Sequence, residues 1–412
     1  MASYPIRPVR EDEFDAFHAV DEHAFNGCPP SGRQRSHELS RFEFDRSLAA
    51  FDGPVPVGIA GAYSFLMRVP GATAPVAGVS WVAVLPSHRR RGILTRLMRR
   101  QLTDIRARGE AVAALYASEA GIYGRFGYGP ASSHAGYTIR RGEGALARRA
   151  PADPGLRLRI AGPEPARAEL AKVYDAVLGT RPGFVARDSR WWDSVLFDPE
   201  EERKGASPLR CVLAEDEAGP RGYALYSAVD RWDEDRFLPD NVLTVREMVA
   251  ADPAATAAIW GNLLSRDLVG EVRARLRPVD DPLPHLMADP RRLRAGVADG
   301  LWVRLTDVGA ALAQRRYACP VDAVIEVADD LLGENAGRWH LQGDRSGAAC
   351  ERTAAEADIA LGVSELGAAY LGGTRLGSLA AAGLVTEHRP GALATLSAAM
   401  SWDPAPWCPV IF

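Results

Sequence analysis

The sequence lacks the marks of secreted, membrane-spanning and zinc-binding proteins. Its 412 residues include five cysteines, an odd number, at Cys28, Cys211, Cys319, Cys350 and Cys408. They are widely scattered and show no CxxC or Cys/His spacing, which argues against a disulfide framework and against a metal site. No stretch approaches ~20 uninterrupted apolar residues, and the first residues have no apolar signal-peptide core. We therefore expect a cytoplasmic protein with no metal and no membrane partner.

An excess of charge of one sign is also lacking. The 49 basic and 53 acidic residues nearly cancel, so the molecule has no overall field that would attract nucleic acid, and no nucleic-acid partner is expected. Hydrophobic residues make up 47% of the chain, enough for large cores. At roughly 150 residues per domain this length predicts two or three domains. We expect three, spanning residues 1–145, 146–295 and 296–412.

The first segment has the alternating strand and helix patterns of an α/β fold. Apolar, β-branched runs predict strands, and apolar residues spaced three and four apart predict helices. The predicted order is strand Tyr4–Val9, helix Glu11–Ala24, strands Val55–Val69 and Ala77–Leu85, helix Gly92–Arg108 and strand Val112–Ala117. The segment therefore opens as a strand and helix followed by central strands.

The second segment repeats part of the first. It follows residues 142–155, whose Pro, Gly and Ala content is typical of a linker. Residues 243–268 have the layout of residues 78–102: a strand, a proline-containing turn and a helix of similar length. Either the domain is duplicated or two strand–helix units are alike by chance. Because Ala-Ala-Thr-Ala replaces Arg-Arg-Arg-Gly in the second copy, a duplication would keep the scaffold and lose any phosphate-binding chemistry.

The third segment, from about Gly300, is predicted to be a mixed α+β unit. Strand patterns at Leu301–Leu305 and Val324–Val327 alternate with a helical pattern over Asp358–Leu371. The chain ends in WDPAPWCPVIF, which is too apolar for a loose terminus. We therefore expect the last residues to dock in the interior or in a cleft.

The most specific signal is VSWVAVLPSHRRRGIL, residues 79–94. A strand runs into a basic turn in which Gly92 allows close approach of the backbone, and the next helix points its unpaired N–H groups into that turn. This arrangement suits a pyrophosphate, to which Arg89, Arg90 and Arg91 would add charge. The alternatives are a solvated helix start and a nucleic-acid patch. The strand before the turn and the helix after it favour the phosphate site.

This stretch resembles motif A of the GCN5-related N-acetyltransferases (GNATs), whose Arg/Gln-x-x-Gly-x-Gly/Ala turn is matched by Arg89, Gly92 and, imperfectly, Leu94. Together with ALYASEAGIYGRFGYGPAS, which starts at Ala114, it closely resembles the enhanced intracellular survival (Eis) acetyltransferases. DPLPHL at 281–286, GLWVRL at 300–305, YLGG at 370–373 and the terminal phenylalanine also match. The resemblance therefore spans all three segments.

The resemblance implies a catalytic GNAT domain, a second and degenerate GNAT-like domain, and a C-terminal domain like sterol carrier proteins, assembled as a homo-hexamer. It implies acetyl-CoA as cosubstrate and a small-molecule amine as acceptor. Acceptors in the family include aminoglycosides, which links it to antibiotic resistance, and some peptide or lysine amines. Ile411 stands where some members have an acidic residue, and its apolar side chain removes one anchor for a polycationic aminoglycoside.

The resemblance also implies roles for individual residues. Tyr123 matches the general acid, with Tyr128 as the rival, and the α-carboxylate of Phe412 matches the base, unless the terminus is buried only for packing. A carboxylate of pKa ~3.5 needs burial or a bridging water to accept an ammonium proton. Expected to bind acetyl-CoA are Val82, Ala83, Val84, Arg89, Arg90, Arg91, Gly92, Ile93, Leu94, Ser118 and Glu119. Expected to line the amine pocket are Phe25, Ser80, Trp81, Tyr116 and Ile411. The rival function from another class is a non-catalytic coenzyme A- or lipid-binding scaffold.

Overall fold

The structure, a computed structural model, describes residues 4–412 except 234 and 236. It divides into two compact units, one from the residues up to Ser132 together with Gly300–Phe412, the other from Ser133–Asp299. The predicted boundaries at 145/146 and 295/296 differ from this division. Residues 133–140 and 296–299 both pair within the sheet of the second unit, so both boundaries move outward. The predicted third domain shares one compact unit with the first.

The first stretch of the chain builds most of one seven-stranded sheet. Its elements are β1 (Ile6–Pro8), α1 (Phe14–Phe25), α2 (Gly32–Arg41), β2 (Leu48–Asp52), β3 (Val55–Val69), β4 (Ala72–Val84), α3 (Ile93–Ala107), β5 (Val112–Tyr116), α4 (Ala120–Tyr123) and β6 (Gly129–Pro130). The predicted strands and the helix after the basic turn are confirmed within a few residues. Helix α3 buries Leu97, Leu102 and Ile105 and turns its arginines outward. Each such side chain stabilises the fold by about 1.5–3 kcal/mol.

The second unit forms a seven-stranded sheet of its own, in the order β15-β7-β14-β13-β10-β9-β8. Its elements are β7 (Ser133–Arg140), β8 (Arg157–Ala161), α5 (Arg167–Leu178), α6 (Ser189–Leu196), β9 (Arg210–Asp216), β10 (Gly219–Val229), β11 (Trp232–Asp233), β12 (Leu238–Pro239), β13 (Asn241–Ala250), α7 (Pro253–Leu264), β14 (Val269–Pro278), α8 (Leu283–Leu286) and β15 (Gly296–Asp299). Both β4-α3-β5 and β13-α7-β14 join two parallel strands through one helix. The repeated layout in the sequence is therefore repeated in the structure.

The last stretch returns to the first unit. Its elements are β16 (Leu301–Leu305), α9 (Val308–Gln314), β17 (Val321–Ala328), β18 (Gly337–Gly343), β19 (Ala348–Arg352), β20 (Ile359–Gly362), α10 (Val363–Tyr370), α11 (Leu376–Ala381), β21 (Val385–Glu387) and α12 (Ala392–Met400). Strand β16 completes the first sheet, whose order is β1-β2-β3-β4-β5-β16-β6, and the later strands form a separate sheet, β19-β18-β17-β20-β21.

One predicted helix is wrong at its start. Residues 359–362 of the predicted helix 358–371 form β20, which lies parallel to β17, and the helix begins only at Val363. The reason is the alternation of buried Ile359 and Leu361 with less buried neighbours, which is a strand pattern four residues long. Elsewhere, no helix among the described residues is both long and apolar enough to cross a membrane.

Candidate active site

The site begins at a fork between two parallel strands. β4 and β5 pair only from Val76 to Gly78 on the first strand, although β4 continues to Val84. The pairing of β4 with β3 shifts register here, so that two residues of β4, Trp81 and Val82, lie opposite a single residue of β3. Trp81 also has a φ of 56°. This is a β-bulge, which bends a strand and twists it locally. The end of β4 is therefore free of β5, and residues 82–84 line an open cleft.

The turn after β4 is shaped to hold an anion. Gly92 is the N-cap of α3 with a φ of 74°, has no side-chain cap, and would meet nothing within 4 Å if it carried a Cβ. The first N–H groups of a helix lack intrahelical partners and carry the positive end of its dipole. Exposed Arg89 and Arg90 lie in the same turn. This end of the cleft fits the pyrophosphate of coenzyme A.

Arg91 differs from its two neighbours. Its guanidinium donates hydrogen bonds to the hydroxyl of Tyr4 over 2.6 Å and to the carbonyl oxygen of Ser87 over 3.0 Å. It does not line the cleft among the described residues. The sequence predicts that Arg91 binds acetyl-CoA. In the structure its side chain instead braces the turn through Tyr4 and Ser87.

The cleft itself has a volume of about 370 Å³. It brings together ten of the eleven predicted acetyl-CoA residues, namely Val82, Ala83, Val84, Arg89, Arg90, Gly92, Ile93, Leu94, Ser118 and Glu119, with Tyr123 and Phe25. The sequence reasoning missed Ala24, His88, Thr95, Ile122 and Arg125, which also line it. His88 and Arg125 lie inside the two quoted motifs, so membership of those motifs was the available signal.

Tyr123 is the tyrosine that reaches the cleft. It lies at the end of α4, and only 5% of its surface is exposed. Burial raises the pKa of its hydroxyl, a hydrogen bond with Ser118 opposes that rise, and the nearby Glu119 carboxylate adds to it. The hydroxyl therefore stays protonated at neutral pH, as a proton donor must.

Tyr128 lies behind Tyr123. The two rings are 6.0 Å apart in an edge-on arrangement. Tyr128 is fully buried, its hydroxyl has no hydrogen-bond partner among the described residues, and burial raises its pKa strongly. Because it does not line the cleft, its geometry suits packing.

The C-terminus lies at the closed end of the fork. The ring of Phe412 is 4.9 Å from that of Phe65 and 5.7 Å from that of Tyr116. A Cβ on Gly78, the last paired residue of β4, would lie 3.1 Å from the Phe412 ring and 2.2 Å from Phe65. Only glycine fits there. The structure thus places the Phe412 ring at the point where β4 and β5 separate.

Several hydrogen bonds fix the tail that leads to Phe412. Buried Arg315 donates to the carbonyl of Met400, where α12 ends, and the N–H of Trp402 donates to the carbonyl of Gly372. Trp407, Cys408 and Val410 are buried, whereas Ile411 is 64% exposed. The expected docking of the tail is therefore found, except at Ile411, whose side chain faces outward.

The other predicted amine-pocket residues do not all line this cleft. Phe25 lines the cleft and is 51% exposed. Trp81 donates its indole N–H to the Tyr63 hydroxyl over 2.8 Å and packs edge-on against Phe17. Ser80 is half-buried beside the bulge, and Tyr116 contacts the tail. Among the described residues that line the cleft, Phe25 is present and Trp81 is not.

A charged cluster lies on α1 next to Trp81. His18 is hydrogen-bonded to Glu38 at 2.7 Å and to Glu22 at 2.8 Å, and its ring is 5.5 Å from that of Trp81. The bond to Glu38 is the main cause that raises the pKa of His18 to about 9, so the ring is an imidazolium at neutral pH. Burial raises the pKa of neighbouring Asp21 to about 6.

In the second unit, the start of α7 corresponds to the start of α3 in the first, but a protein side chain already occupies it. At the start of α7 the Asp252 carboxylate accepts hydrogen bonds from the N–H groups of Ala254 and Ala255, over 2.9 and 3.0 Å. Arg221 pairs with the same carboxylate at 2.8 Å. A protein carboxylate therefore occupies the helix end that phosphate oxygens would need. This agrees with a repeat that keeps its scaffold and has lost the ligand chemistry.

Comparisons with known proteins agree with this geometry. A family model described as an acetyltransferase (GNAT) domain matches residues 5–131, a second GNAT model matches residues 183–305, and a sterol carrier protein domain model matches residues 308–409. These matches confirm the predicted fold of two GNAT-type domains followed by a sterol-carrier-like domain.

Full-length relatives are similar as well. An uncharacterized N-acetyltransferase of Streptomyces coelicolor is 44% identical over 410 residues, 98% of each chain. The N-acetyltransferase Eis of Mycobacterium tuberculosis is 35% identical over 370 residues, 87% of each chain. The crystal structure of Eis1 from Mycobacterium abscessus is 37% identical and matches with a TM-score of 0.83, covering 99% of this chain and 100% of that one.

Proposed function

Because the chain belongs to the Eis-like family of GCN5-related N-acetyltransferases, we propose that it acetylates a primary amine of a cationic small molecule by direct attack, with Tyr123 as general acid and the Phe412 α-carboxylate as base. The chain is an acetyl-CoA-dependent N-acetyltransferase, as its relatives are named. The observation that carries the proposed roles is that Tyr123 lines the cleft next to the basic turn while Phe412 lies at the fork of β4 and β5.

The cleft residues divide the binding of acetyl-CoA between them. Arg89, Arg90 and the N-terminus of α3 hold the pyrophosphate, since they combine fixed N–H donors with two guanidinium groups. The free end of β4, at Val82 and Val84, offers backbone groups to the pantetheine arm. Binding along this edge directs the acetyl group towards Tyr123.

The reaction needs one proton donor and one proton acceptor. The amine nitrogen bonds to the acetyl carbonyl carbon and the carbon–sulfur bond breaks. Tyr123 gives its proton to the departing sulfur, so that the free thiol leaves, and the amine's surplus proton passes to the Phe412 carboxylate directly or through a water. In this proposal the protonated tyrosine and the carboxylate supply these two functions.

The acceptor that we propose is a cationic amine of the polyamine, lysine or aminoglycoside type. Support comes from the carboxylates of Glu22 and Glu38, which are hydrogen-bonded to His18, whose ring lies 5.5 Å from that of Trp81. The exposed Ile411 offers no charge of its own. Because the anchor that an acidic residue would provide is absent there, we place smaller polyamine-like and lysine-like acceptors before aminoglycosides.

The test is release of free thiol from acetyl-CoA with a panel of aminoglycosides, polyamines, arylalkylamines and lysine peptides, followed by mass spectrometry of the product. Turnover of cationic amines in wild type and its loss in Tyr123→Phe would support the proposal. Turnover of none of these amines, or turnover that is unchanged in Tyr123→Phe, would contradict it. The same preparation, analysed by light scattering, tests the homo-hexamer. Localisation of a tagged protein tests the cytoplasmic site, and aminoglycoside susceptibility of an expressing strain tests a role in resistance.

A further inference from the structure

The loop that carries Tyr123 is held from behind by the C-terminal part of the same unit. We name residues 119–130 the catalytic loop. Its last residues, β6, pair with β16, and Ser364 on α10 donates its hydroxyl hydrogen to the Tyr128 carbonyl over 2.8 Å. A Cβ on Gly129 would lie 1.9 Å from the Ser364 carbonyl oxygen. The loop and α10 are thus in closest contact at a glycine.

Arg304 on β16 reaches under this loop. Its side chain is fully buried and donates to both carboxylate oxygens of Asp329, over 2.9 and 2.7 Å. Gly127 has a φ of 82°, and a Cβ there would lie 2.8 Å from the Arg304 guanidinium carbon. The guanidinium therefore packs directly against the left-handed turn, four residues after Tyr123. It fills the space that a side chain at Gly127 would need.

Asp329 also orders a turn whose leucines belong to the apolar cluster around Tyr123. The same carboxylate oxygen that accepts from Arg304 accepts the backbone N–H groups of Leu331 and Leu332, over 3.1 and 3.0 Å. Leu331 and Leu332 belong to the apolar cluster that contains Tyr123. The carboxylate thus orders the turn that presses two leucines against the cluster. One ion pair thereby fixes both the turn after Tyr123 and the side chains around it.

The buried ion pair of Arg304 and Asp329 is not expected to add much to the free energy of unfolding. Taking two charges out of water costs several kcal/mol, and apolar replacement of a buried pair is often neutral or stabilising. What the pair adds is a fixed geometry at Gly127 and Leu331, because one guanidinium nitrogen of Arg304 donates to both carboxylate oxygens of Asp329 while another donates to the Leu305 carbonyl. We propose that Arg304 and Asp329 are positioning residues for the reaction, which set the place of the Tyr123 hydroxyl from the C-terminal part of the same unit. This inference rests on the proposed role of Tyr123 as general acid.

The test removes both charges at once. Arg304→Met with Asp329→Asn leaves no unpaired buried charge, the asparagine side-chain oxygen still accepts from the two leucine N–H groups, and the Asn335 amide, which loses its bond to residue 329, keeps its bond to the Leu305 carbonyl. The matched control is Arg46→Met with Glu110→Gln, because Arg46 and Glu110 form another buried pair in the same unit, with one bond of 2.8 Å. Each pair of substitutions is introduced into the wild-type enzyme and into the Tyr123→Phe variant. For all of these proteins kcat, the acetyl-CoA Kd and Tm are measured.

We expect the Arg304/Asp329 variant to lose roughly 10- to 100-fold in kcat, as displacement of a catalytic group by about 1 Å can cause, with acetyl-CoA Kd changed by less than about twofold. In the Tyr123→Phe background the same change should lower kcat by less than about twofold, since there is no hydroxyl left to position. The control pair should leave kcat close to wild type in both backgrounds.

Two results would overturn the inference: an unchanged kcat in the folded variant, or an equal fold-loss with and without the Tyr123 hydroxyl. If the double variant does not fold, Arg304→Lys replaces it, because lysine keeps the charge but lacks the flat guanidinium that packs against Gly127. We expect Arg304→Lys to lower kcat by a smaller factor, and again only when the Tyr123 hydroxyl is present. An unchanged kcat for Arg304→Lys would then overturn it. If Tyr123→Phe alone leaves kcat unchanged, the proposed acid itself is wrong, which is a separate and distinguishable failure.

Discussion

The hydroxyl of Tyr116, on strand β5, donates a hydrogen bond to the carbonyl oxygen of Cys408, in the C-terminal tail, over 2.9 Å. The contact ties one arm of the fork to the segment that ends at Phe412. Strand β5 is therefore tied to the tail four residues before Phe412, the proposed base.

Tyr116→Phe should loosen that link. One hydrogen bond is worth about 1 kcal/mol, so we expect kcat to fall about fivefold while the acetyl-CoA Kd stays unchanged. Steady-state kinetics and calorimetry measure the two effects. The control is Tyr174→Phe, which removes a comparable 2.8 Å bond from a tyrosine to the Val185 carbonyl in the second unit. A loss of kcat as large in the control would mean that Tyr116 acts only on stability.

Acetyl-CoA should bind once per chain, at the first basic turn. Arg89→Glu with Arg90→Glu should weaken binding by about tenfold or more, because two charge-assisted contacts to phosphate are lost. Arg148→Glu with Arg149→Glu makes the same change of charge at two exposed arginines of the second unit and should leave Kd nearly unchanged. Calorimetry gives both the Kd and the stoichiometry. Two sites per chain would contradict the role assigned to Asp252 at the start of α7.

Stability should depend on pH through His18. Its pKa is raised from 6.5 to about 9 in the folded chain, so its stabilising contribution is complete below pH ~6.5 and is lost as the pH rises through about 9. His18→Gln should therefore lower Tm more near pH 6 than near pH 10. His23→Gln, an exposed histidine on the same helix, serves as the control. An equal loss of Tm at both pH values would show that the ring acts by packing and not by charge.

Tyr123→Phe should lower kcat by roughly 10²-fold and change acetyl-CoA affinity little, as expected when a general acid is lost. Because burial raises the pKa of Tyr123, any loss of wild-type activity caused by its ionisation should come above its ordinary pKa of ~10. Tyr128→Phe is the matched variant and should change kcat little. A large loss for Tyr128→Phe with none for Tyr123→Phe would move the role to the other tyrosine.

Much of this site could be predicted because its chemistry is local. The strand, basic turn and helix at residues 79–94 follow from turn residues and apolar spacing, and the structure places them together. Helix α2 could not be found in this way, since it buries none of its residues and so has no apolar face in the sequence. The separate direction of Arg91 depends on Tyr4, which is 87 residues away.

Features that depend on contacts between residues far apart in the chain could not be predicted from the sequence. The bulge at Trp81 arises from the pairing of β4 with β3 and has no signature of its own. The boundary at Ser132 depends on which sheet the next strand joins. The place of Phe412 was expected only through the family resemblance, because nothing within the last residues says which strands they will meet.

The most direct test of the account concerns the α-carboxylate of Phe412. A Gly-Ser extension keeps every side chain, converts that carboxylate to an amide, and moves the terminal charge by ~3.5 Å per added residue. Phe412→Leu keeps the carboxylate and much of the apolar contact with Phe65. With both proteins folded and binding acetyl-CoA, we expect kcat to collapse in the extended chain and to be largely retained in Phe412→Leu. An extended enzyme that turns over as fast as the parent would contradict it, and would leave Phe412 as a packing residue.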